Sequence, residues 1–298
     1  MDTQSLKAFL AVAGQQSFSE AAEQLHLTQS AVSKRIQQLE QLLGVALFER
    51  HNRTVSLTEA GNALLPRARS ILELIDDTAQ QLENLGNDIS GTLTVATSHH
   101  IGLHRLPPIL RQFVEQYPSV HLKLEFMGSE KAYQAVRQRQ VDLALTTLAP
   151  GHQGSTPDQQ DIETETLWND VMHCVCRPHH ALTDKMPLTW ADLANEAAIL
   201  PEPDTITFQL IEAQFNAQGV TLNAPMPTNY LETIKMMVSV GIGWSLLPES
   251  MVDEQLTSLT WPGDPITREL GIISLRQRPQ SNATRALVSL LRNSTHQQ

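Results

Sequence analysis

The chain has 298 residues, a length that predicts two domains of roughly 150 residues each. Apolar residues make up 41% of the chain and charged residues 18%, so it is globular and can bury a sizeable core. The formal net charge is −11, and the first 65 residues contain five Lys/Arg against six Asp/Glu. This balance excludes a bulk basic surface for nucleic acid, so any DNA contact must come from locally clustered cations.

Nothing in the sequence indicates a membrane or secretory location. No run of about 18 uncharged apolar residues occurs. The N-terminus, MDTQSLKAFLAV, lacks the basic start and the small-residue cleavage site of a signal peptide. Two cysteines do not make a disulfide framework in a chain of this length. We therefore expect a cytoplasmic protein without a membrane partner.

Helical periodicity begins near the N-terminus. Between residues 3 and 15, apolar side chains recur at the spacing of an amphipathic helix: Leu6, Phe9, Leu10 and Ala13. Ser19 is predicted to cap a second helix, and a turn at His26–Leu27 leads to a third, capped by Thr28. Four apolar residues of the third helix are expected to bury one of its faces: Val32, Ile36, Leu39 and Leu43. Two short helices joined by so tight a turn predict a helix-turn-helix.

The other face of the third helix, in HLTQSAVSKRIQQLE, carries hydroxyls, amides and cations, with no carboxylate before Glu40. Short polar side chains at a helix N-terminus can approach phosphates and base edges closely, and Lys34 is long enough to reach guanine acceptors. We predict that seven residues of this segment contact DNA: Thr28, Gln29, Ser30, Ser33, Lys34, Arg35 and Gln37. For this helix taken alone, an ordinary solvated polar face is the alternative.

A β-hairpin is predicted next, in GVALFERHNRTVSLT. The β-prone runs Leu47–Glu49 and Val55–Leu57 flank a polar tip that contains Arg50 and Arg53. A hairpin with a cationic tip after a helix-turn-helix is typical of a wing, and we expect Arg50 and Arg53 to hold backbone phosphates.

From LKAFLAVAGQQSFSEAAEQL through to FERHNRTVSLTEAG, the sequence resembles the N-terminal domain of LysR-type transcriptional regulators almost position by position. The resemblance implies a winged helix-turn-helix domain over residues 1–58 that binds an operator or promoter in double-stranded DNA. It also implies a bacterial, sequence-specific regulator with RNA polymerase as a further partner. Members of the family commonly have arginine where this chain has Lys34, which keeps the charge but loses the bidentate fork.

A linker helix is predicted over residues 59–87, with Thr58 as its cap. Residues spaced alternately by four and three form a heptad seam along it: Leu64, Ala68, Ile71, Ile75, Thr78, Leu82 and Leu85. All of them are apolar except Thr78. A dimerisation arm is favoured, with four residues in the contact: Leu64, Ile71, Ile75 and Leu82. Packing of the stripe on its own domain is the alternative. Pro66 is expected to bend the helix or mark a junction, and the family resemblance extends assembly to a homotetramer.

Strands and helices alternate over residues 88–298, which predicts an α/β domain with a mostly parallel sheet. This region resembles the bilobed, periplasmic-binding-protein-like effector domain of the same family, and VSVGIGWSLLPESM matches its glycine-rich turn. We expect the first lobe at about residues 91–161 and 268–298, and the second at about 162–267. A small, organic and anionic metabolite is expected between them.

In such folds, ligands bind at the carboxyl ends of strands, where helix N-termini converge. Eight residues are predicted to contact the metabolite because they lie at such positions: Thr97, Ser98, His99, His100, Thr147, Thr205, Thr228 and Asn229. Hydroxyls and amides at helix starts suit a carboxylate. Each of them alone could equally be a simple helix cap.

Competing chemistry has weaker support. His173, Cys174, Cys176, His179 and His180 lie within eight residues, but the two cysteines share one face of a predicted strand, and buried apolar cysteine is the common case. No hydrolase elbow, P-loop or dinucleotide fingerprint occurs. We therefore expect no metal, no cofactor and no enzyme activity. A bilobed small-molecule-binding protein or enzyme without DNA function is the alternative.

Overall fold

A computed structural model describes residues 1–51, 54–86, 88–149 and 161–295, with the backbone alone at residues 50, 51, 54, 80 and 83. The chain divides into two compact units, Met1–Gly86 and Asn87–Gln298. The expected architecture, a winged helix-turn-helix with a linker helix followed by an α/β domain, is confirmed. Within the described ranges no helix has the length and apolar character needed to cross a bilayer.

The first unit contains four helices and one hairpin within its described residues. Its helices are α1 Thr3–Gln15, α2 Phe18–Gln24, α3 Gln29–Leu43 and α4 Glu59–Glu83. Its antiparallel strands are β1 Phe48–His51 and β2 Thr54–Leu57. The helices enclose a core in which Phe48 of the hairpin packs against Phe9 and Phe18, at ring-centroid distances of 5.4 and 5.8 Å.

Two details of these helices differ from the prediction. The N-cap of α2 is Ser17, not Ser19, because Ser17 has the extended backbone that a cap requires and its Oγ accepts a hydrogen bond from the Glu20 amide. Leu43 is 39% exposed, whereas Val32, Ile36 and Leu39 are buried. Leu43 is the last residue of α3, before Gly44 in the left-handed region, so it extends past the core.

The start of the hairpin is fixed against α3 and α4. The Glu40 carboxylate accepts hydrogen bonds from the amides of Leu47 and Phe48, at 2.8 and 3.3 Å. The backbone also approaches Gly61 so closely that a Cβ there would lie 2.2 Å from the Leu47 carbonyl oxygen. The Glu40 carboxylate of α3 is thus turned toward the hairpin.

Helix α4 runs unbroken through Pro66, and its apolar seam divides into two parts. Ala68 is fully buried, and Leu64 and Ile71 pack partly buried against the core of the first unit. Ile75 and Leu82 are 44% and 63% exposed. The first half of the seam therefore packs on its own domain, and only the second half offers an exposed apolar surface.

The second unit contains seven further strands and seven further α-helices within the described residues. Its strands are β3 Gly91–Thr97, β4 Val120–Phe126, β5 Leu143–Thr147, β6 Ile162–Cys176, β7 Ser245–Pro248, β8 Thr257–Leu259 and β9 Thr267–Leu275. Its helices are α5 His99–His104, α6 Pro107–Gln116, α7 Ser129–Arg137, α8 Trp190–Asn195, α9 Ile206–Ala217, α10 Leu231–Ser239 and α11 Asn282–Thr295.

The sheet has the order β4-β3-β5-β9-β6-β7, with β8 also paired to β6. Only β3–β4 and β3–β5 are parallel pairs, while β9 and β6 run antiparallel to all their described neighbours. The expected mostly parallel sheet is therefore wrong, because two long strands cross between the lobes and reverse the direction of pairing.

The crossing strands belong to both lobes. Trp168 of β6 packs in the core beneath α6 and α11, whereas Cys174 and Cys176 of the same strand lie in the core beneath α8 and α9. The change of lobe along β6 therefore falls between Trp168 and Met172, rather than before residue 162. The ends of these crossing strands and of β3 and β5 position the side chains of the cleft.

Candidate DNA-binding surface and effector cleft

The N-terminus of α3 is exposed and built as the sequence predicts. His26 adopts a positive φ of 53° in the turn after α2, and Thr28 then caps α3 by accepting a hydrogen bond from the Ala31 amide at 3.2 Å. The exposed residues of the predicted contact set are Thr28, Gln29, Ser30, Lys34 and Gln37. This face can therefore be approached by a large partner such as a duplex.

Two other residues of the set are half-buried, and two lie at the wing. Ser33 is half-buried, and Arg35 is held by the first helix, because its Nη1 donates to Gln4 Oε1 at 3.2 Å. Arg53 lies outside the described residues, as does the side chain of Arg50. Phosphate contacts by these two arginines stay a prediction.

A cleft lies between the lobes of the second unit, with a cavity of about 70 Å³. Six of the eight predicted effector contacts line it: Ser98, His99, His100, Thr147, Thr205 and Asn229. The space holds on the order of five waters, so it suits a small ligand. The structure brings these side chains together, and their contact with a ligand stays a prediction.

Each lobe supplies a helix start to the cleft. Ser98 caps α5 by accepting a hydrogen bond from the Ile101 amide, and Thr205 caps α9 by accepting one from the Phe208 amide. The Asn229 side-chain oxygen accepts a hydrogen bond from the Glu202 amide at 2.9 Å. The capping alternative is therefore also true of Ser98 and Thr205, which both cap a helix and line the cleft. Asn229 lines the cleft as well, but it holds backbone 27 residues away and caps no helix.

Thr97 and Thr228 are not among the residues that line the cleft, contrary to the prediction. Thr97 is fully buried as the last residue of β3, and successive side chains of an extended chain point to opposite faces, so Ser98 takes the cleft position. The Thr228 amide donates to the Leu200 carbonyl, which places this residue behind Asn229.

A buried ion cluster lies beside the cleft, and two of its members, His100 and Arg268, line the cleft. Asp170 of β6 lies 2.8 Å from the Arg268 guanidinium, 3.1 Å from that of Arg105 and 3.3 Å from His100 Nε2. Arg268 is only 6% exposed, and it also donates to Thr207 Oγ1 at 3.3 Å. Burial alone would raise the pKa of Asp170, but its contacts with His100 and Arg268 outweigh this and hold that pKa well below the usual range.

The sequence reasoning missed two important cleft residues, Arg268 and Glu130. Arg268 could have been recognised from its place in the predicted strand RELGIISLR, because a cation inside a buried strand requires a partner of opposite charge or a hydrogen-bond acceptor. Glu130 of α7 crosses the cleft, where its Oε1 accepts a hydrogen bond from the Ile206 amide at the start of α9, at 3.2 Å. No local pattern could have placed residues 76 positions apart in contact.

Two family models together match nearly the whole chain. The model for bacterial regulatory helix-turn-helix proteins of the lysR family matches residues 3–62, and the LysR substrate binding domain model matches residues 86–295. The chain belongs to the LysR family. Members of this family are transcriptional regulators and not enzymes. The alternative interpretation, an enzyme or a small-molecule-binding protein without DNA function, is therefore not supported.

Curated relatives agree with this assignment. An uncharacterised HTH-type transcriptional regulator from an ibpB-leuC intergenic region of Azotobacter vinelandii is 67% identical over 108 residues, which cover 36% of this chain and 75% of the relative. A probable nitrogen assimilation transcriptional activator of Synechococcus elongatus is 30% identical, with 84% and 79% of the two chains covered.

Two full-length structures show the same fold. A full-length OxyR variant from Pseudomonas aeruginosa has a TM-score of 0.68 at 22% identity, covering 98% of this chain and 95% of that one. CbnR in complex with its target DNA has a TM-score of 0.58 at 22% identity, covering 99% and 100%. At this level of identity, both show the fold alone.

The two cysteines of this LysR regulator are free and buried in the second lobe. Burial raises the pKa of the Cys176 thiol to about 11, and it raises that of Cys174 further. Thiolates, the form that binds metal, are therefore scarce at neutral pH. The pair acts as small apolar side chains in the core.

Proposed function

We propose that this LysR-family regulator binds a specific DNA sequence and that a small organic anion in the cleft controls it. The observation that carries the effector proposal is Arg268. This side chain lines the cleft and is almost completely buried, and its Nε has no hydrogen-bond partner among the described residues. An unpaired buried donor costs about 1–3 kcal/mol, which an acceptor on a ligand can recover.

The start of α9 supports an anion as well. Its Ile206 amide already binds a carboxylate oxygen, that of Glu130 from the other lobe. A helix N-terminus combines free amides with the positive end of the helix dipole, so it favours such a group. The same geometry can receive the carboxylate of a metabolite.

Effector control follows from the position of the cleft between lobes. A ligand shifts an equilibrium only by the difference in its affinity for the two arrangements. Contacts from Ser98 in one lobe and from Thr205 and Asn229 in the other can supply that difference, because they face a common space.

The proposed regulator also associates with itself as a dimer or tetramer, and it contacts RNA polymerase.

DNA binding by the exposed face of α3 is supported by its charge arrangement. Lys34 is exposed, while the nearest carboxylate along the helix, Glu40, is engaged with the amides of Leu47 and Phe48. A duplex approaching this face therefore meets hydroxyls, amides and a cation, and the nearest carboxylate of the same helix is held by backbone amides.

The effector proposal is tested with a thermal-shift screen of small mono- and dicarboxylic acids on the full chain. The affinity of an acid that raises the melting temperature is then measured for the parent, for Ser98→Ala and for Asn229→Ala. We expect each variant to bind roughly tenfold more weakly, as for a lost hydrogen bond to a charged group.

Thr228→Ala is the matched control, because Thr228 adjoins Asn229 but does not line the cleft. It should bind the acid like the parent. Equal affinity of the parent and both cleft variants would refute the assigned contacts. A hit must also change binding to the region upstream of the chain's own gene, measured by fluorescence anisotropy.

A further inference from the structure

Three potential metal ligands from both lobes meet beside the cleft. They are His100 and His104 on α5 and Glu232 on α10, and one ligand atom of each lies within 4.8 Å of the other two. We propose that this His100–His104–Glu232 triad binds a divalent transition-metal ion of the zinc, cobalt or nickel class. This ion is distinct from the organic effector proposed above. Its ligands are also different from the histidines and cysteines near position 175.

The helix places the two imidazoles together. Residues four apart on a helix lie on the same face, and the two rings have a centroid distance of 5.0 Å. Glu232 closes the triad from the second lobe, where its Oε1 is 2.9 Å from His104 Nε2. Ligand atoms around tetrahedral zinc are about 3.4 Å apart for bonds of about 2.1 Å, so small side-chain rotations would complete the site.

The environment of His100 points to a ligand independently. The side chain is 6% exposed, and neither ring nitrogen makes a well-aligned hydrogen bond to any described residue. Asp170 Oδ2 lies 3.3 Å from Nε2. A histidine that binds metal through one nitrogen and faces a carboxylate with the other is the usual arrangement around metal sites.

The local charges are balanced before an ion binds. Arg105 and Arg268 both pair with Asp170, and Glu232 adds a second carboxylate, so the four formal charges cancel. A divalent ion held by two neutral imidazoles and by Glu232 would therefore bring the formal charge of this cluster to +2. Imidazole ligands favour zinc, nickel or copper over magnesium and calcium, which prefer oxygen.

Three protein ligands leave one tetrahedral position open for water or for a ligand oxygen. Because α5 belongs to the first lobe and α10 to the second, the ion would join the lobes directly. Binding of the ion would therefore stabilise this arrangement of the lobes over any in which His104 and Glu232 separate.

The test uses the full chain without a histidine tag, stripped of metal with EDTA. Cobalt is titrated in, the visible absorption of the tetrahedral ion is recorded, and zinc is added as competitor. We expect one cobalt per chain, displaced by zinc, and at least a roughly tenfold loss of affinity in both His104→Ala and Glu232→Gln. Magnesium should not compete.

His121→Ala is the matched control, because His121 is an exposed histidine on β4 outside the triad. It should bind cobalt like the parent. Urea unfolding without metal checks that both triad variants fold, which is expected since His104 and Glu232 are each 38% exposed. Absence of a stoichiometric tetrahedral spectrum, or equal cobalt affinity of parent and triad variants, would overturn the proposal.

Discussion

Asp170→Asn should destabilise the second unit strongly. The asparagine keeps the shape of the side chain and removes its charge, leaving Arg268 buried at 6% exposure opposite a neutral amide. Removing one partner of a buried pair costs about 3–5 kcal/mol, because the other charge stays buried without compensation. Arg268 already has an unpaired Nε among the described residues, so local rearrangement has few donors or acceptors with which to offset the loss.

Glu165→Gln provides a matched comparison on the same strand. Glu165 also pairs with an arginine, Arg292, through two contacts of 2.7 Å, but the two side chains are 37% and 58% exposed. An exposed pair contributes about 0–1 kcal/mol. The two variants thus make the same chemical change to a carboxylate–arginine pair and differ mainly in burial.

Urea unfolding followed by tryptophan fluorescence measures the effect, since all four tryptophans lie in the second unit. The pKa of Asp170 is lowered in the folded state, so its stabilising contribution is present above the unfolded pKa of about 3.9 and is lost as the pH falls through the folded value. Asp170 is therefore ionised at both pH 7 and pH 5, and the loss in Asp170→Asn should be present at both. A loss for Asp170→Asn no larger than that for Glu165→Gln would refute the reasoning.

Two further predictions concern the first unit. Lys34→Ala should cost about 1–3 kcal/mol in binding free energy for the cognate sequence and should reduce the preference for that sequence over random DNA, as measured by fluorescence anisotropy. Lys123→Ala removes the same charge in the second unit and should change neither quantity. Equal preference in the parent and in Lys34→Ala would contradict a contact between Lys34 and a base. Ile75→Asp places a charge in the exposed half of the α4 seam and should give monomers or weakened dimers by sedimentation, whereas the same change at exposed Asn62 of the same helix should not. Unchanged sedimentation of Ile75→Asp at low concentration would remove this seam as the dimer contact.

Local patterns in the sequence predicted the elements of the first unit well, because caps and helical stripes depend on neighbours in the chain. Thr28 and Thr58 cap helices as expected, with Thr58 accepting a hydrogen bond from the Gly61 amide. The segment HHIGLHRLPPILRQFVEQYP forms two helices, α5 and α6. Pro107 and Pro108 lack amide hydrogens to continue α5, and they open α6 instead.

The contacts that shape the cleft could not be predicted in this way. Asp170 and Arg268 are 98 residues apart, and only the antiparallel register of β6 with β9 makes them neighbours. Likewise, the heptad spacing of α4 could not show which turns pack against their own domain. That depends on how far the core of α1–α3 extends along the helix, which is a property of the packed unit.

The division of the α4 seam has a mechanical consequence. Ala68 lies in the core of the first unit, Leu64, Ile71 and Leu72 pack against that core, and Pro66 lies in the same half of the helix. The rest of α4, in which Ile75 and Leu82 are exposed, extends beyond this core as an arm. The arm from Ile71 to Glu83 is about 18 Å long at about 1.5 Å per residue. A tilt of about 10° at its base would move its tip by roughly 3 Å over that length. The base of this arm lies in the same core as Val32, Ile36 and Leu39 of α3, so a tilt at the base would disturb the packing beneath α3.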